Sequence, residues 1–80
     1  MERLRVLFFS FAADRMNTRT KEYDIDQPVR LAEFFLRELE PFLKEAPRSF
    51  LFSVNQEWVD QDTLIGPGDE LAVIPPVSGG

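Results

Sequence analysis

The sequence predicts an α+β domain, with one helix packed across one face of a mixed β-sheet. Three observations carry that prediction. Short segments of alternating polarity stand at both ends of the chain, a single helical stripe lies between them, and turn signals separate the later segments. Residues 3–9 alternate, with Leu4, Val6 and Phe8 on one face, and read as the first strand. The other face starts with Arg3 and Arg5 and turns apolar at Leu7 and Phe9. Residues 10–19 show no clear period and read as a loop. Residues 20–26 alternate again, Tyr23 and Ile25 pointing one way, as a second strand antiparallel to the first.

Pro28 is expected to open the helix, since its missing N–H is no loss there, with Asp26 or Gln27 as the cap. Leu31, Phe34, Phe35, Leu39, Phe42 and Leu43 then form one buried stripe. Glu40-Pro41 interrupts it, because a residue before proline avoids the α region, so the helix is expected to end or kink near Glu40, with a short turn following. Residues 50–54 are a third strand, with Phe50, Phe52 and Val54 on one face. Asn55-Gln56 makes a tight turn into a short return strand at Trp58-Val59. Gly66-Pro67-Gly68-Asp69 fits a type II turn, and Glu70–Ile74 is the last strand, ended by Pro75-Pro76. With the first and last strands adjacent and parallel, this order is the β-grasp, or ubiquitin-like, fold. The expected organisation is one domain over residues 1–74 and an extended tail over 75–80.

Composition narrows the chemistry. The 80 residues include eight Phe and one Trp, enough for one modest core. No Cys is present, which excludes disulfides, thiolate metal sites and Cys nucleophiles. No His is present either, removing the commonest general base and metal ligand. No run approaches the ~20 apolar residues of a membrane span, and the first residues lack the apolar core of a signal peptide. No membrane association and a cytoplasmic location are therefore expected. Residues 51–80 hold Glu57, Asp60, Asp62, Asp69 and Glu70 with no base, so the net charge of −5 resides there. Phosphates would be repelled, and no nucleic-acid partner is expected. Either a protein with a basic docking face or a merely solvated surface would account for the charge. Asp60 and Asp62 resemble the start of a calcium loop, but Leu64 occupies the next ligand position and no Glu closes it. Turn capping is the simpler reading, and no metal is assigned.

The remaining candidate for chemistry is the tail Pro75-Pro76-Val77-Ser78-Gly79-Gly80. Two prolines favour an extended conformation. Six residues at roughly 3.3 Å each reach about 20 Å, enough to enter a neighbouring protein's active site. Gly79 and Gly80 carry no side chain, so backbone can pass a narrow channel up to the terminal carboxylate. A frayed terminus is the alternative. Strand alternation further leaves Leu7, Phe9, Ala72 and Ile74 on the sheet face away from the helix, with Phe9 beside Ile74 and Trp58 nearby. Such an apolar patch marks a partner site, unless residues 10–19 fold over it.

Leu7-Phe8-Phe9, Val54-Asn55-Gln56, Gly68-Asp69-Glu70 and the ending Pro75-Pro76-Val77-Ser78-Gly79-Gly80 resemble the small subunit of molybdopterin synthase. The resemblance spans nearly the whole chain, and the ending is its most specific part. It implies a sulfur carrier, not catalytic alone, with no bound cofactor. An E1-like adenylyltransferase would adenylate the Gly80 carboxylate, and a sulfurtransferase persulfide would convert it to a thiocarboxylate, both modifications transient. The tail would then enter the large subunit and give its sulfur to cyclic pyranopterin monophosphate, towards the molybdopterin dithiolene. The family's assembly is a heterotetramer, two small subunits on a large-subunit dimer. The resemblance implies partner contacts at Phe9, Trp58 and Ile74 and along Pro75, Pro76, Val77, Ser78 and Gly79. Trp58 and Ile74 stand where the family commonly has Leu and Phe, and Phe11-Ala12-Ala13-Asp14 lacks its usual Arg-Glu pair. The alternatives are a sulfur carrier for thiamine, cysteine or tRNA thiolation, a ubiquitin-like protein modifier, and a plain interaction domain.

Overall fold

The computed structural model describes residues 3–76. Five strands form one sheet in the order β2-β1-β7-β4-β5: β1 (Arg3–Phe8), β2 (Thr20–Asp24), β4 (Leu51–Val54), β5 (Glu57–Val59) and β7 (Glu70–Ile74). β1 and β7 are parallel at its centre, and the other pairings are antiparallel. A second, two-stranded pairing joins β3 (Val29–Arg30) to β6 (Leu64–Ile65). Leu4, Val6, Phe8, Phe52, Leu71 and Val73 line the inner sheet face and meet Leu31, Phe34, Phe35, Leu39 and Leu43 of the helical layer. Aromatic rings crowd the seam, with Phe35 lying 5.5 Å from Phe50 and 5.8 Å from Phe52 between centroids. Burial of a Phe or Leu is worth roughly 1.5–3 kcal/mol, so this layer dominates the stability. Tyr23 packs edge-on against Phe34 at 5.0 Å. Burial pushes its hydroxyl up to about 12, with Glu38 adding to the shift.

The helical layer departs from the sequence reading in three ways. Residues 10–19 are not all loop, because α1 (Phe11–Met16) forms there and is stopped by Asn17 in the left-handed region. α1 buries Ala12 and leans Phe11 on Phe50, with Arg15 donating to the Leu43 carbonyl and stacking 4.8 Å over the Phe11 ring. Secondly, the main helix does not start at Pro28. Val29–Arg30 is β3, and α2 (Leu31–Phe34) starts with Leu31 and Ala32 donating to the Thr63 and Gln61 carbonyls, each at 2.9 Å. A distant loop backbone therefore does the capping expected of Asp26 or Gln27.

Thirdly, of the end or kink expected near Glu40, the helix shows an irregular turn and not an end. It widens into a π turn at Phe35–Leu39 and continues as α3 (Glu40–Leu43), ending at Lys44 with φ 62°. Pro41 cannot donate to the carbonyl four residues back, and the wider turn accommodates that loss. The extra residue rotates the following side chains by about one position. Leu43 is buried as expected, while Phe42, expected in the same stripe, is 55% exposed.

The turns follow their chemistry. Asn55 and Gln56 have φ 52° and 71°, as a two-residue I′ hairpin requires. Gly68 has φ 87° after Pro67, and Asp69 N–H donates to the Gly66 carbonyl at 3.1 Å, closing the expected type II turn. Ser10 is the unanticipated case. It sits at φ 55°, ψ −135° between β1 and α1, the first central position of a II′ turn closed from Ala12 N–H to the Phe9 carbonyl at 3.1 Å.

Candidate functional site: the outer sheet face at the root of the tail

Strand register assembles the face away from the helices. Thr20, Leu7, Ala72, Ser53 and Trp58 are paired in one row across all five strands. One step toward the tail, Leu51 pairs with Ile74, and Phe9 flanks Ile74 from β1, its N–H donating to the Val73 carbonyl at 3.3 Å. In the opposite direction the face becomes ionic. Arg3 meets Glu22 and Asp24, each at 3.2 Å, and Arg5 lies 3.8 Å from both Glu22 and Glu70. The outer face is thus half apolar and half charged, and the apolar half lies where β7 ends.

Phe9 is 46% exposed, Leu51 48% and Trp58 68%, while Ile74 and Leu7 are half-buried. α1 does not fold over them, because it packs against α3 and Phe50 at the end of the sheet. Ala72 was expected outward, and it does face this side, yet it is only 7% exposed. As a small side chain on a central strand, it is covered by its neighbours in the row. β7 brings Ile74, Pro75 and Pro76 to the edge of the patch, Pro75 buried and Pro76 exposed. Val77, Ser78, Gly79 and Gly80 lie outside the described residues. Leu51 escaped the sequence reading, although the same alternation that turns Phe50, Phe52 and Val54 inward turns Leu51 outward.

Most acids of residues 51–80 work inside the fold. Asp62 pairs with Arg30 at 2.9 Å and Glu70 lies near Arg5. Asp60 accepts from the Asp62 N–H at 2.8 Å, which is turn capping. Asp69 accepts from the Gly66 N–H at 2.8 Å and from the Asn55 side chain at 3.0 Å, and Asn55 accepts from the Glu70 N–H at 3.0 Å. That clamp ties the β4–β5 turn to the start of β7. Among the described residues no three His, Cys, Asp or Glu side chains gather as metal ligands would.

What this arrangement offers is an exposed apolar surface for binding. Each Phe or Leu left uncovered forgoes roughly 1.5–3 kcal/mol of burial, a gain a docking partner can recover. Known proteins share the architecture. A human molybdopterin synthase sulfur carrier subunit is 35% identical over 83 residues, covering 96% of this chain and 93% of the relative. SAMP1 from Haloferax volcanii superposes with a TM-score of 0.78 at 26% identity, covering 98% of this chain and 99% of that one. A chain in the complex of subunits 1 and 2 of the Helicobacter pylori molybdopterin-converting factor shares the fold, with a TM-score of 0.64 at 21% identity, over 98% of this chain and 99% of that one. The ThiS family model matches residues 6–80, and with that extent of agreement the chain belongs to the ThiS family.

Proposed function

We propose that this chain is the sulfur carrier subunit of a molybdopterin synthase, and that its reactive group is the Gly80 carboxylate. The observation that carries the reading is the position of the exposed apolar patch at the root of a Gly-Gly tail, in a member of the ThiS family. The agreement with the human sulfur carrier subunit over 96% of the chain supports the choice of pathway. The partner is then a large subunit that covers Phe9, Leu51, Trp58 and Ile74 while Pro75 to Gly79 lead the terminus into its active site. The Helicobacter pylori complex of subunits 1 and 2 supports such a partner. Two carriers on a large-subunit dimer, and residence in the cytoplasm, belong to the same proposal.

The chemistry runs through the terminal carbonyl. An E1-like adenylyltransferase joins the carboxylate to AMP and releases pyrophosphate, which converts a poor leaving group into a good one. A sulfurtransferase persulfide displaces AMP, and a thiol cleaves the resulting acyl disulfide to leave the thiocarboxylate. Its sulfur attacks a carbon of cyclic pyranopterin monophosphate in the large subunit as a carbon–oxygen bond there breaks and the oxygen leaves. Water then cleaves the acyl link, returning the carboxylate and leaving a thiolate on the pterin. The carrier domain contributes presentation and docking, with no general base of its own.

Removal of Gly79-Gly80 tests the reading. The truncated chain is expected to melt like the intact one and to abolish sulfur transfer in a reconstituted molybdopterin assay. Transfer at the normal rate would overturn it. In the intact chain, activation should exchange one oxygen for sulfur, a gain of about 16 Da in whole-protein mass.

A further inference from the structure

The surroundings of the apolar patch carry a second pattern, this one in their cations. Arg3, Arg5, Arg15, Arg30 and Arg37 all have carboxylate partners. Arg19, Lys21, Lys44 and Arg48 have none among the described residues. Lys21 is occupied over the Tyr23 ring at 5.1 Å, and Lys44 closes α3 in the helical layer. Only the two exposed arginines remain, and they bracket the apolar patch.

Arg19 precedes Thr20 on the β2 side, and its carbonyl accepts from the Phe8 N–H at 2.8 Å. It lines a groove with Leu7, Phe9 and Phe11, in which Asp14 is the other charged group. Arg48 lies in the 3₁₀ turn Pro47–Ser49, just before Leu51. It lines a groove with Leu51 and Trp58, whose far wall carries Asp60, used as a turn cap, and Asp62, held by Arg30. Arg19 thus stands just before β2 and Arg48 just before β4, each lining a groove at the end of the sheet where β7 gives way to Pro75.

We propose that Arg19 and Arg48 are the charge contacts that orient the large subunit on the patch, each meeting a carboxylate on the rim of an apolar partner surface. The proposal rests on the functional reading above and adds the sign of the partner's rim. The net charge suggests a basic partner, but Asp60, Asp62, Asp69 and Glu70 are engaged within the fold. The free cations beside the patch are Arg19 and Arg48, with Asp14 in the Arg19 groove and Glu57 next to Trp58 as the acids there that have no ion pair among the described residues. Rim charges steer encounter and set register more than they hold the complex together, because they stay solvated. Arginine suits the task, since its planar fork matches a carboxylate in two hydrogen bonds.

The test is stopped-flow association of the full chain with the purified large subunit at low and physiological ionic strength. Arg19→Glu and Arg48→Glu are each expected to slow association roughly threefold to tenfold at low salt, with dissociation changed less. Arg37→Glu makes the same change in net charge on the helical layer and should associate like the wild type. Melting curves check that all three variants remain folded. Equal slowing in all three, or none in the Arg19 and Arg48 variants, would overturn the inference alone. A wild-type chain that fails to bind the large subunit would overturn the functional reading and this inference with it.

Discussion

Arg3, Arg5, Glu22, Asp24 and Glu70 satisfy one another on one half of the outer sheet face, whereas Phe9, Leu51, Trp58 and Ile74 on the other half are left open. The same strands β1 and β7 run through both halves. The difference shows that this sheet can finish an exposed surface with ion pairs and does so over only one half of it. Leaving large apolar groups open lowers solubility and forgoes burial energy, which is tolerable when a second protein supplies the missing layer.

The comparison breaks most sharply at Ile74. An Ile74→Asp substitution puts a charge into the patch where the tail begins, and should weaken large-subunit binding by about a hundredfold or more in calorimetry. Since Ile74 faces away from the main core, the melting temperature should fall only modestly. A chain that unfolds instead would show that Ile74 is core rather than interface. A smaller effect is expected at Ser10, next to the patch. Its II′ position favours glycine, so Ser10→Gly should raise stability by about 1 kcal/mol in denaturant melts. The charged half should respond least. Arg5→Ala removes two exposed ion pairs, and a loss of about 1 kcal/mol or less is expected, shrinking further in high salt, with binding unchanged.

Much of this was legible in the residues. Alternation in β1, β4 and β7 places Leu4, Val6, Phe52 and Leu71 inside and Phe9 outside, and the turn residues mark the β4–β5 hairpin and the type II turn before β7. The parts that were not legible depend on non-local partners. Six residues are too few to establish a helical period, and α1 is held by Asn17 at its end and by Arg15 reaching Leu43. The start of α2 is decided by carbonyls of Gln61 and Thr63, some thirty positions away in the sequence. The exposure of Phe42 follows from a π turn that Pro41 hints at without specifying. The site suffered less, because strand faces follow from period two alone. Only the free arginines required a structure, since the sequence does not tell which acids are already engaged.

The parallel pairing of β1 with β7 has a consequence for quality control. Phe9 and Ile74 come from opposite ends of the sequence and become neighbours only when β7 slots between β1 and β4. Contacts of such long range form late and slowly in folding. A misfolded or half-finished copy therefore lacks the composite surface, and a partner that recognises both residues together inspects the whole domain before accepting its cargo.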